Sequence, residues 1–460
     1  EAAFEEVQSS QLLMKLLENN GFKITDKIGG KPTAFVAEWG AGSPVIGYMG
    51  EYDALPGLSQ VADVLIPQKR SGSENGHGCG HHVLGTGAAA AAIATKEYLE
   101  SQKSTGTVRF YGCPAEEEGS GKVLMALAGA FDDCDAAISW HPTDDNGVWS
   151  INFFSIQAMD IEFVGNGDDG LAARQTGKNT NLTGNAREAL EAFHIGLEFT
   201  RKSFHPSVYF RETILDTDDK NMIRVPQNTK VHLRIYGNTQ NIMRDTIEKL
   251  IRTAKGAARM AGCGVKIHTD TGVSELLPNR SLEKIMYEQY KQVGTVHLTE
   301  EEQQYAEKIH SILPVDCEEH TFHLMKFLYE EQADDIIKQV QGKAYNNILY
   351  PFREINKHKP GGTDICDVSW FTPTVQCTVA CYVKDTAGHS WQETSQGLSS
   401  ICMKGMLVAA KVMALTGISL FSDPSALDSV KLEFKEKRLG REYKALSPIT
   451  IEIPISDHQI

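Results

Sequence analysis

Hydrophobic spacing along the chain changes character several times, and each change marks an element. Gln8 to Asn19 places apolar side chains at helical intervals, and Asn20-Gly21 supplies a stop. Ala34 to Ala37 and Val45 to Met49 are short, largely apolar runs of strand length. The spacing then predicts an alanine-rich helix over Val83 to Glu100, a strand over Thr107 to Tyr111, a short helix near Val123 to Ala130 and a strand over Ala136 to Trp140. Strands alternating with helices imply an α/β layer with a mostly parallel sheet.

Near Ile156 the pattern shifts to strand (to Val164), helix (Arg187 to Thr200), two strands (Val208 to Ile214 and Val231 to Tyr236), helix (Ile242 to Ala261) and strand (Val265 to Thr269). This βαββαβ order is that of a ferredoxin-like split unit, small enough to fold as an inserted domain. Beyond Leu276 helices return, followed by a strand over Val375 to Val383 and a helix over Ser399 to Leu415. Cys317 to Lys359 has weak periodicity and receives no element. The expected organisation is a first part over 1–155, an insert over 156–272 and a second part over 273–460 that ends in a polar surface helix and tail.

Composition narrows the class of molecule. A hydrophobic content of 41% is that of an ordinary globular protein, and the formal net charge of −15 argues against a general nucleic-acid or anionic-membrane surface. The longest nearly uncharged apolar stretch, Val83 to Ala94, is too short to cross a bilayer, so no membrane partner is expected. Nine cysteines, odd in number and without a CxxC pair, favour a reducing, cytoplasmic setting over a disulfide framework.

Chemistry collects after the strands. Gly76-His77-Gly78-Cys79-Gly80-His81-His82 packs one thiol and three imidazoles between glycines, and Cys and neutral His are the ligands a borderline transition metal prefers. Glu51-Tyr52-Asp53, Glu116-Glu117-Glu118, Trp140-His141 and Gly388-His389 also follow predicted strands. Ligands of open α/β sheets sit beyond the carboxyl ends of strands, where distant segments converge. Each feature alone has an ordinary structural reading: a buried cysteine, a solvated acidic turn, a satisfied strand-end histidine. Taken together, Cys79, His81, Glu117, His141 and His389 are more ligands than one tetrahedral site needs, which is consistent with two metals sharing a bridge.

Five ordered stretches carry a resemblance over nearly the full length: Gly50-Glu51-Tyr52-Asp53-Ala54-Leu55-Pro56-Gly57, GHGCGHHVLGTG from Gly76 to Gly87, Pro114-Ala115-Glu116-Glu117, Gly362-Thr363-Asp364 with Asp367-Val368-Ser369-Trp370, and Gly388-His389-Ser390-Trp391-Gln392. They resemble the dimetal aminoacylase and carboxypeptidase metallopeptidases, in the amidohydrolase branch that includes aminobenzoyl-glutamate hydrolases. The resemblance implies a catalytic domain in two parts around an inserted lid or dimerisation domain. It implies Cys79, His81, Glu117, His141 and His389 as ligands of two divalent ions, zinc or manganese, Glu116 as general acid and base, and Asp53 beside the centre. Glu118 permits a one-residue shift of the acidic pair.

Glu51 stands where many relatives carry a ligand histidine, with Cys79 as the replacement. Asn221 resembles a substrate-contacting asparagine. The family's lid histidine is replaced by Asp169 in Phe163-Val164-Gly165-Asn166-Gly167-Asp168-Asp169-Gly170, with His194 and His205 as substitutes, each with an ordinary structural reading. Arg224 and Arg234 are candidates for holding a substrate carboxylate. The implied function is hydrolysis of an N-acyl or N-aroyl amino acid, or a short dipeptide, by a homodimer or a heterodimer with a related subunit. The alternative is a catalytically weak, metal-holding partner of an active subunit.

Overall fold

The protein is described by a computed structural model covering residues 1–117, 119–165, 184–217, 228–359 and 361–455. It divides into two compact units, the first made of Glu1–Asn152, Leu276–Lys357 and Thr363–Glu442. A seven-stranded sheet organises this unit, in the order Lys23–Asp26, Phe35–Ala41, Gly106–Cys113, Val45–Glu51, Ala136–Thr143, Thr374–Ala380, Gly147–Val148. Its four strands from Gly106–Cys113 to Thr374–Ala380 are parallel, and the flanking pairs are antiparallel. The central strands Val45–Glu51 and Thr374–Ala380 are buried at every position, which is why they read as continuous apolar runs and not as alternation.

Two long helices, His81–Gln102 and Ser400–Ser422, pack against the sheet and each other. Small residues line their buried faces, among them Ala88, Ala91, Ala92, Gly405 and Ala409, so the backbones approach closely. Ser400–Ser422 is long and apolar enough to cross a membrane by composition, yet over half of its apolar window, 56%, is buried inside the protein, as in a core helix. Trp140 is fully buried and donates its indole N–H to Leu84 O at 2.9 Å. That bond ties the strand bearing His141 to the helix bearing His81. Truncating such a residue typically costs about 3–5 kcal/mol.

The second unit comprises Phe153–Glu275, His358–Gly362 and Tyr443–Ile460. Its antiparallel sheet runs Tyr209–Thr217, Asn228–Gly237, Ser155–Val164, Gly264–Thr269, Ile449–Ile453. The helices Ala186–Arg201 and Gln240–Met260 bury their apolar faces on it around Phe163, Phe193, Leu233 and Leu250. Side-chain caps open both: Asn185 accepts from the N–H groups of Arg187 and Glu188, and Thr239 accepts from that of Ile242.

Two expectations need correction. The C-terminal residues do not end as a tail of the first unit: Ile449–Ile453 is the fifth strand of the second, with the Ile449 N–H donating to Thr269 Oγ1 at 2.8 Å. Only five residues long, that strand pairs with a segment 180 positions earlier, a distance over which local periodicity carries no information. The unassigned Cys317 to Lys359 region contains the helices Cys317–Tyr329 and Ala333–Val340. The first of these buries Met325 alone among its described residues, so little apolar rhythm was there to read.

Candidate metal centre

The parallel strands end on one edge of the first unit, and the chemistry gathers there. Val45–Glu51 delivers Glu51 and, two residues on, Asp53; Gly106–Cys113 leads to Glu116 and Glu117; Ala136–Thr143 carries His141; Thr374–Ala380 leads to His389. The glycine-flanked loop enters its helix through Gly80, which adopts φ +72 between Cys79 and His81. A Cβ there would lie 2.2 Å from the Tyr382 hydroxyl, so this turn can close only on glycine. Gly121 plays the matching part for the acidic loop: its Cβ would fall 1.6 Å from Pro114 O.

Three clusters form, each with its ligand atoms within 4.8 Å of one another: Cys79, His81 and His141; Cys79, Glu117 and His389; Glu51, His81 and Glu116. Cys79 Sγ lies 3.4 Å from His141 Nε2, and His389 Nε2 lies 3.4 Å from Glu117 Oε2. Asp53 organises the middle: one oxygen accepts from His81 Nδ1 at 2.8 Å and the other from the Glu117 N–H at 2.9 Å. His141 donates from Nδ1 to Pro142 O at 2.8 Å. Both rings therefore keep Nε2 for an electrophile. His389 sits at φ +56, its N–H shared between Gly78 O at 2.7 Å and Glu393 Oε2 at 3.0 Å. Trp149 stacks on His141 with ring centres 5.5 Å apart.

The donor atoms fit a metal pair. His81 Nε2 and Glu117 Oε1 are buried and make no hydrogen bond among the described residues, an arrangement that costs free energy unless something completes it. Burial pushes the Cys79 thiol well above its usual range, against the pull of His81. Burial also raises Glu117 to about 8, His81 lowering it and Glu116 raising it further. Glu116 is raised by burial and then by the Glu51 carboxylate, partly offset by Lys122 and His81. Asp53 moves the other way: burial raises it, but the charge and hydrogen bond of His81 more than compensate.

A match to the model of peptidase family M20/M25/M40 spans residues 47–414. The chain belongs to that family. Members hydrolyse amide or peptide bonds, and the chain is such a hydrolase by descent. It is 35% identical over 436 residues to a subunit of the p-aminobenzoyl-glutamate hydrolase of Escherichia coli, covering 95% of this chain and 89% of the relative. An Xaa-Arg dipeptidase of Mus musculus is 23% identical over 419 residues, covering 89% and 79%. In fold it resembles an aminobenzoyl-glutamate utilization protein from Klebsiella pneumoniae, with a TM-score of 0.56, 13% identity and coverage of 91% and 92%. It also resembles a dinuclear metal binding M20 peptidase from Bacillus subtilis, with a TM-score of 0.53, 16% identity and coverage of 92% and 94%.

All of Asp53, Cys79, His81, Glu116, Glu117, His141 and His389 converge on this edge. Glu118, Asp169, Asn221 and Arg224 lie outside the described residues. His194 is paired with Glu212, and His205 Nδ1 meets Ser207 Oγ at 2.9 Å, both within the second unit. Arg234 is exposed, directly across the sheet from Arg211. Of the four glycine-loop candidates, His77 and His82 turn away: their rings pack 4.8 Å apart and His82 Nε2 meets Gly397 O at 2.7 Å. Sequence reasoning gave no role to Lys122 or Asp364, both fully buried beside Glu51. The signal available was a lysine and an aspartate inside otherwise apolar or glycine-rich stretches.

Proposed function

We propose that the chain is a metal-dependent amidohydrolase that cleaves an N-acyl or N-aroyl amino acid, or a short dipeptide, with p-aminobenzoyl-glutamate the first substrate to test. One observation carries the reading: two clusters of thiol, imidazole and carboxylate share Cys79 at the edge where four parallel strands end. Cys79, His81 and His141 would hold one ion, and Cys79, Glu117 and His389 the other. The thiolate favours zinc and the family resemblance supports manganese. Bound there, such ions supply Lewis acidity toward a carbonyl oxygen and acidify water.

The chain's own part is proton handling and orientation. Glu116, next to the ligand Glu117 and 3.8 Å from His81 Nε2, takes a proton from the attacking water and returns it to the departing amine. Its raised pKa suits a group that must both accept and release a proton. Asp53 holds His81 in the required tautomer and anchors the Glu117 backbone. The Escherichia coli relative is named as one subunit of its hydrolase, which supports a dimeric assembly here, with a copy or a related chain. Nine cysteines, none in a disulfide among the described residues, support a cytoplasmic setting.

The test is release of amine from p-aminobenzoyl-glutamate and a dipeptide panel by the chain reloaded with zinc or manganese. Glu116→Gln is expected to lower kcat by about 10²–10⁴-fold with metal content unchanged. A fully metallated wild-type chain that turns over none of these substrates would instead support the second reading, a metal-holding subunit of an active partner. That reading is favoured by Asp169 at the lid position.

A further inference from the structure

The three clusters cannot all hold ions at once. His81 Nε2 belongs to two of them, and an imidazole whose Nδ1–H is committed to Asp53 has one lone pair left. It can serve a single metal. A thiolate sulfur has several lone pairs, so the two clusters that share Cys79 are compatible, whereas Glu51–His81–Glu116 competes with Cys79–His81–His141 for one nitrogen.

Counter-charge settles the competition. Glu51 is 1% exposed, and a buried carboxylate is stable only beside a cation. Lys122, fully buried in the first turn of Gly121–Leu127, places Nζ 2.6 Å from Glu51 Oε1 and pairs also with Asp364. The Lys122 backbone N–H donates to the second Asp364 oxygen at 2.7 Å. The remaining Glu51 oxygen lies 3.3 Å from His81 Nε2, near enough to ligate if the ammonium were absent.

We propose that Lys122 is the built-in cation of the Glu51 corner: its ammonium stands where a metal ion would otherwise bind Glu51 and leaves His81 Nε2 to the clusters joined by Cys79. Glu51, Lys122 and Asp364 are then positioning residues. They tie the strand end that leads to Asp53 to the loop that carries Glu116 and Glu117. The inference rests on the dinuclear reading above, which assigns the ions to the Cys79 clusters.

The experiment is a metal titration of wild type and Glu51→Gln, by elemental analysis and by the sulfur-to-cobalt charge-transfer absorption of the cobalt(II) forms. The thermal midpoints of metal-free Lys122→Met and Lys122→Met/Glu51→Gln complete it. Glu51→Gln is expected to keep two equivalents of metal and an unchanged charge-transfer band. The double variant is expected to melt above Lys122→Met, because it removes one of the two carboxylates that the lost ammonium leaves unpaired. Loss of one metal equivalent in Glu51→Gln makes Glu51 a ligand and overturns the inference, as does a double variant no more stable than Lys122→Met. Should Lys122→Met fail to fold, the Glu51→Gln titration decides alone. A wild type that binds no metal overturns the dinuclear reading, and the thermal comparison still reads the ion pair.

Discussion

Asp53 and Glu117 show how much of the centre is set by single protons. Asp53, lowered by its bond to His81, stays ionised and fixes that ring with Nδ1–H toward itself and Nε2 toward the cluster. Burial lowers His81, but Cys79 and Asp53 outweigh it and hold the ring well above its usual range, so Nε2 too must shed a proton to ligate. Glu117 and Cys79 are pushed the opposite way by burial, Glu117 to about 8 from 4.5, so each holds a proton in the metal-free protein where its unfolded counterpart would release it sooner. Both must deprotonate to ligate. Metal affinity should therefore rise with pH through about 8, where Glu117 titrates, and continue upward while Cys79 still holds its proton, with protons released on binding. Calorimetric titration in buffers of different ionisation enthalpy measures that release; pH-independent uptake below 8 would contradict it. The same shift, by itself, destabilises the metal-free fold as pH rises from 4.5 to about 8, since the folded state binds more protons than the unfolded one across that window.

At the scale of elements, the site depends on turns more than on the strands that lead to them. Gly80 and Gly440 both sit at φ +72, but a Cβ at Gly80 meets the Tyr382 hydroxyl at 2.2 Å and Pro142 Cγ at 2.5 Å, whereas one at Gly440 meets nothing within 4 Å. Gly440→Ala should show only the left-handed backbone cost of about 1–2 kcal/mol. Gly80→Ala should add the clash, lowering the thermal midpoint further and weakening metal binding by at least about tenfold, in line with changes around metal ligands. Equal effects at the two positions would mean that the close approach to Tyr382 is dispensable. The helix His81–Gln102 has no side-chain cap among the described residues, its N-cap being Gly80 in the left-handed region. A side chain that would improve the helix start is excluded by the turn that aims Cys79 and His81.

For the whole molecule, the second unit closes its sheet with residues from the far end of the chain. Removing 443–460 would strip Ile449–Ile453 from Gly264–Thr269 and leave that strand with a bare edge. The expected outcome is faster hydrogen exchange over 264–269 and a greater tendency to aggregate, with the metal content of the first unit unchanged. Exchange indistinguishable from the full chain would mean the fifth strand contributes little to this sheet. The truncation would also take from Gln157 Nε2 two of its acceptors, Leu446 O and Ser447 O, each at 3.4 Å.

Periodicity alone was enough for the helices His81–Gln102, Ala186–Arg201, Gln240–Met260 and Ser400–Ser422, for the main strands of both sheets, and for the change of architecture near Ile156. Those elements bury one face or both, and burial writes itself into local spacing. The candidate ligands could be picked out too, because Cys79, His81, Glu117, His141 and His389 are metal-binding residue types gathered within or beyond predicted strands. Local sequence could not say which of them share an ion, that His77 and His82 face elsewhere, or that Lys122 and Asp364 enclose Glu51. Nor could it place Ile449–Ile453 in the second unit. These are pairings across tens to hundreds of residues, set by lone-pair direction and by the need of each buried charge for a partner, and only the folded chain brings the partners together.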